Sequence, residues 1–241
     1  RPLEEILRAK DRHEEHLDIL DQLIEMGYSN PELLEDYIRK AKTLEALSRE
    51  DEAFKTYRSA LLKKREFAPA IEGLEAMADK GVHIFEVAQA LEPIYTARQD
   101  HEKLAEILLK RVEVTDNRPK RKALLRRVGD IYENRLDNKL QAFKMARQSL
   151  KEDPTDMGVR MWIEKLATDA EAFGELALAY VEESSKCEEA VALQLHRRAA
   201  GLYFDQLEDY GEAAVQYRAI LELRPTDEKS KDGLDRCYRE L

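Results

Sequence analysis

At 241 residues the chain has room for one or two domains, and a 43% hydrophobic content is enough for a buried core. Charged residues make up 37%, above the roughly 25% usual in globular domains, and the net charge of −10 speaks against a general nucleic-acid binder while leaving a local basic patch open. Two cysteines, Cys187 and Cys237, are too few for a disulfide framework and are expected as reduced thiols, and no apolar run approaches the roughly 20 residues of a membrane span.

The predicted elements are helices throughout. Only 9 Gly and 7 Pro interrupt a chain dominated by strong helix formers. Apolar residues recur every three or four positions, as in Leu17, Leu20, Ile24 and in Leu34, Ile38, Ala41. In chain order, helices are predicted over 3–10, 13–26, 31–47, 50–64, 67–79, 82–97, 100–115, 119–135, 138–152, 156–168, 170–184, 187–206, 209–223 and 227–240. Asn30-Pro31-Glu32 reads as an N-cap followed by proline in the first turn. Gly27 and Gly81 sit where helices should stop. Asp153-Pro154-Thr155-Asp156 and Arg224-Pro225-Thr226-Asp227 each end one helix and cap the next. Pro93 falls inside 82–97 and predicts a kink or a split there. With no Gly/Ser-rich linker, no secretory signal and no initial Met, 1–241 is expected as one continuous repeat domain cut from a longer protein.

The sequence repeats itself. VGDIYENRLDNKLQAFKMARQSLKEDPTD from Val128 aligns with AAGLYFDQLEDYGEAAVQYRAILELRPTD from Ala199. Gly129 and Ala200, Tyr132 and Tyr203, Ala142 and Ala213, and Pro154 and Pro225 all lie 71 residues apart. A third copy holds Ala41, Leu44, Ala53, Tyr57 and Ala60, with a loop one residue shorter and Arg65 in place of the proline. The offset from Ala41 to Gly129 is 88, and the same offset, with one residue of slack, relates the segments from Arg8 and Ala97. The repeat units are therefore predicted at about 3–66, 91–154 and 162–225, with an added helix at 67–79 and a C-terminal helix at 227–240.

These residues resemble the tetratricopeptide repeat motif: a small residue, an aromatic three later, a second small residue, a large one at plus four and a proline at plus twelve. Ala200, Tyr203, Ala213, Tyr217 and Pro225 meet it fully; Ala146 stands where a bulky residue is usual. The resemblance implies an all-α fold, antiparallel helix pairs stacked in a right-handed solenoid of about 13–14 helices. It also implies that the first helix of each pair lines the concave ligand surface. Carried over by position, Ile38, Arg126 and Arg197 lie three before the small residue, Lys42, Asp130 and Gly201 just after it, and Glu45, Glu133 and Phe204 four after it. The candidate partner-binding residues are therefore Ile38, Lys42, Arg126, Asp130, Arg197 and Phe204. A clamp for chaperone tails needs Asn at the second of these places, and none is there.

Other constellations carry less. His13 and His16 are one residue short of the zinc-protease spacing and read as a solvated helix face; His83, His101 and His196 are isolated. Cys187 lies near a predicted helix start, where a thiolate is stabilised, but no base is paired with it. The basic run from Arg118 to Lys122, continued by Arg126 and Arg127, either docks an acidic partner or pairs with nearby carboxylates. No cofactor or structural metal is expected. The reading is a non-catalytic protein-interaction scaffold for a protein or peptide with an acidic segment, placed in a reducing compartment such as the cytoplasm, with no membrane insertion and its oligomeric state open. The alternatives are a helical-repeat RNA binder and a regulatory segment of a larger enzyme or signalling protein.

Overall fold

The computed structural model describes residues 12–27, 30 and 32–241. The helix expected at 3–10 lies outside the described residues. The chain forms two compact units, Arg1–Val114 and Thr115–Leu241. The first holds α1 (His13–Glu25), α2 (Leu33–Ala46), α3 (Glu50–Lys63), α4 (Ala68–Asp79), α5 (Ile84–Arg98) and α6 (His101–Glu113). The second holds α7 (Arg118–Asn134), α8 (Lys139–Glu152), α9 (Met157–Asp169), α10 (Phe173–Ser184), α11 (Glu189–Gly201), α12 (Tyr210–Leu223) and α13 (Glu228–Glu240). No strand occurs among the described residues. Within each unit every helix packs on its chain neighbour. Turns of only two to eight residues make those neighbours antiparallel.

Small residues set the helix separations. Ala41, Ala53, Ala60, Ala142, Ala146, Ala199, Ala200 and Ala213 are all fully buried at 0% exposure. Large side chains fill the remaining space: Tyr57, Leu74, Leu91, Ile163, Leu166 and Tyr180 are closed off from solvent. Each such Leu or Ile contributes about 1.5–3 kcal/mol. Two aromatic rings lie directly on glycines. A β-carbon on Gly73 would sit 2.4 Å from the Tyr57 ring, and one on Gly233 would sit 2.4 Å from the Tyr217 ring. Gly129 has the same role against an indole, at 2.3 Å from Trp162 Cζ2.

Helix ends follow local chemistry. Asp100, Asn117, Asn138, Asp156 and Asp209 accept hydrogen bonds from first-turn N–H groups of α6, α7, α8, α9 and α12. Gly27 and Gly81 take left-handed backbone, at φ 57° and 81°, as the stop signals predict. The turns α2–α3, α5–α6 and α9–α10 use non-glycine residues instead: Ser48, Gln99 and Glu171 lie at φ 56°, 55° and 53°. The conformation is held because Arg49, Asp100 and Ala172 N–H groups donate back to the carbonyls of Leu44, Tyr95 and Ala167 at 2.9, 3.0 and 2.8 Å.

Helix α5 runs unbroken through Pro93, so of the kink or split expected there the split does not occur. The helix expected over 187–206 runs as α11 and continues without a break as a π-helical turn, Leu202–Gln206, before α12.

Candidate interaction surface

The first helices of successive pairs are tied to one another by polar rungs. In the second unit the carboxylate of Glu133 on α7 accepts from Lys165 on α9, and Glu164 on α9 accepts from Arg198 on α11. The Arg236 guanidinium of α13 lies 4.4 Å from the centroid of Phe204, in the π-turn that follows α11. In the first unit Glu45 on α2 accepts from Lys80, just past the end of α4, at 2.9 Å. Tyrosines of the second helices join these rungs: Tyr57 donates to Glu45 at 2.6 Å and Tyr180 to Glu164 at 2.7 Å. Burial, then the carboxylate, pushes both phenols far up, so they stay donors at any physiological pH. The Lys165 ammonium holds the Glu133 carboxyl below its ordinary range.

The candidate residues distribute as follows. Arg126 lies over Trp162, its Cζ 4.3 Å from the ring centroid, and its Nε is 3.1 Å from Asp130 Oδ1. These two residues are brought together, both about half exposed at 51% and 45%. Arg197 donates to Asp227 Oδ2 at 3.1 Å. Phe204 sits under Arg236 and meets Tyr210 edge-on, with centroids 5.2 Å apart. In the first unit Lys42 is exposed. Ile38 is a correction: it is only 8% exposed and belongs to the core. It lies three residues before Ala41 and six before Leu44, so the helical period puts it on their buried stripe.

The sequence reading missed Met157 and Met161, which project from α9 at 63% and 64% exposure. The signal was present. Met161 lies 35 residues after Arg126 and 36 before Arg197, about one helix pair from each. The same spacing relates Asp130 to Lys165.

The basic run is partly spent inside the unit. Arg121 Nε is 2.8 Å from Glu152, and Lys122 donates to Asp153 at 2.9 Å and to Asp156 at 2.6 Å. The hydrogen bonds from Thr155 and Lys122 lower the Asp153 carboxyl, and that from Lys122 lowers Asp156. Arg118 and Lys120 are exposed.

The histidines divide. His16 is not on a solvated face: it is buried at 2% exposure, with Nδ1 3.1 Å from Thr43 Oγ1. His83 Nε2 lies 2.8 Å from Asp51, and His196 Nδ1 lies 2.9 Å from Gln216. Among the described residues no group of three or more His, Cys, Asp or Glu side chains comes together as a metal site would require. At Cys187 burial and then Glu183 push the thiol up, against the low pKa a nucleophile needs. No helix among the described residues is long and apolar enough to cross a membrane.

Ala41 and Ala53, and Ala200 and Ala213, are fully buried where first and second helices meet, and Tyr203 is buried above Ala200. In fold the chain is tetratricopeptide-like. No family model matches the sequence, and no curated protein does. Solved tetratricopeptide structures resemble it. One, the C-terminal part of a TPR repeat-containing protein from Cytophaga hutchinsonii, is 16% identical, with 97% of this chain and 98% of that one covered and a TM-score of 0.32. A tetratricopeptide repeat protein from Parabacteroides merdae is 14% identical over 98% of this chain and 96% of that one, at a TM-score of 0.30. YrrB, described as a TPR protein with an unusual peptide-binding site, is 14% identical over 88% and 96%, at 0.31. Scores this low add no weight, and the tetratricopeptide-like fold rests on the burial of the motif residues and the packing of neighbouring helices.

Proposed function

We propose that the chain is a non-catalytic protein-interaction scaffold, and that the first-helix face of its second unit holds a partner segment bearing both acidic and apolar side chains. The observation that carries this reading is the exposure of Met161, about one helix pair from each of the half-exposed cations Arg126 and Arg197. Methionine is flexible and polarisable, suited to irregular apolar side chains. The arginines are pre-organised, Arg126 by Asp130 and Trp162 and Arg197 by Asp227, so they lose little freedom on binding a carboxylate.

Affinity capture from a lysate, compared between the natural chain and the triple variant Arg126→Glu, Met161→Glu, Arg197→Glu, tests the proposal. The reading expects proteins held by the natural chain and released by the variant at equal melting temperature. An identical set on both would overturn the face. A set lost on ribonuclease treatment would point to RNA and overturn the scaffold.

A further inference from the structure

The outer side of the second unit carries separated charge. Along α8 the exposed residues are Lys139, Leu140, Lys144, Gln148 and Lys151, and no carboxylate occurs between Lys139 and Lys151. Helix α10, which packs beside α8, shows the opposite sign. Glu171, just before it, and Glu175, Leu178 and Glu182 are exposed, and no basic residue occurs between Glu171 and Glu182. Each ridge carries one outward leucine, Leu140 at 51% and Leu178 at 52% exposure. Within the unit the ridges are joined by Arg147, which donates to Glu182 at 3.0 Å. Among the described residues Lys139, Lys144, Glu171 and Glu175 form no ion pair, and Lys151 acts on Glu182 only through space.

A partner of one sign would be attracted to one ridge and repelled by the other. The face suits a surface with two opposite ridges at the same spacing, and a second copy of this chain has one. A two-fold axis running along the helices, between α8 and α10, lays α8 of one copy over α10 of the other and repeats the contact by symmetry. A two-fold axis across the helices would instead set α8 on α8, like sign on like. We propose that the α8–α10 face is a self-complementary surface through which two copies of the chain pair, with Leu140 and Leu178 as its apolar centre.

Two leucines and a few exposed ion pairs make a weak interface, with dissociation on the order of 100 µM. The test uses charge reversal. The chain is followed by sedimentation and light scattering up to about 1 mM in low and high salt, beside Lys139→Glu/Lys144→Glu and Glu171→Lys/Glu175→Lys. The natural chain should dimerise in low salt and dissociate as salt rises. Each variant alone, with two ridges of like sign, should weaken pairing by at least about tenfold. An equimolar mixture of the two variants should pair again, because each ridge then meets its opposite. All substituted positions are exposed, and circular dichroism confirms that the variants fold. A natural chain that stays monomeric, variants that pair as well as it does, or a mixture that shows no recovery would each overturn the proposal.

Discussion

Trp162 stands 16 residues after Ala146, the spacing that separates Tyr57 from Gly73 and Tyr217 from Gly233. In two places a second-helix tyrosine lies on a glycine of the next first helix. In the third the sizes are exchanged: the alanine is on the second helix, and the large residue is on the next one. The large residue stands one helix after the weak motif position at Ala146, and its indole lies on Gly129.

Gly129→Ala should therefore destabilise the second unit by about 1–3 kcal/mol, although alanine is the better helix former by about 1 kcal/mol. The added methyl meets the rigid indole at 2.3 Å. Urea melts check this, and Trp162→Phe in the Gly129→Ala background should restore part of the loss. A melt unchanged by Gly129→Ala would remove the contact.

The left-handed turn residues make a prediction of opposite sign. Ser48, Gln99 and Glu171 are exposed and bear β-carbons where only glycine is unstrained. Replacing each with glycine should stabilise the chain by up to about 1 kcal/mol, the relief of strain exceeding the entropy cost of glycine. Gly81→Ala should destabilise it. Thermal melts read both.

Lys122 gives a pH prediction. Asp153 and Asp156 have carboxyls below their ordinary value of 3.8, so their pairing stabilises the fold above that value and is lost as pH falls through the lowered one. Lys122→Met should lower the melting temperature slightly near pH 6, and the difference should shrink as pH falls below 3.8 through the lowered values of the two carboxyls. A difference that persists in acid would mean that Lys122 acts by packing.

Binding at the first-helix face should be electrostatic in its kinetics. Arg126→Glu with Arg197→Glu should slow association with the captured partner more than it speeds dissociation, and raising salt should reproduce the effect in the natural chain. Surface plasmon resonance separates the two rates, and a change confined to dissociation would contradict it.

Chelation supplies a further check. EDTA should leave the melting temperature unchanged, since His16 bonds to Thr43 and no metal cluster is assembled among the described residues. A lower melting temperature would mean that a bound metal had been stabilising the fold.

The described helices were legible in the sequence to within about three residues, because periodicity, caps and prolines are local signals. What escaped was non-local. The sequence around His16 reads as charged surface, yet His16 is buried and meets Thr43, 27 residues on. Ile38 obeys its own helix's stripe rather than the motif position assigned to it. The rungs had a signal in principle: Glu133 to Lys165 and Glu164 to Arg198 span 32 and 34 residues, about one helix pair. Opposite charges at that spacing are informative only once the pairing of helices is known.

The π-turn after α11 repeats a geometry found earlier in the same unit. The N–H of Leu207 donates to Leu202 and that of Asp209 to Tyr203, five and six residues back. In the earlier copy Leu136 donates to Ile131 and Asn138 to Tyr132, the same two bonds displaced by 71 residues. The α2–α3 turn lacks the additional residue and closes five back, from Arg49 to Leu44. The α7–α8 and α11–α12 turns therefore share one geometry, wider by one residue than the α2–α3 turn.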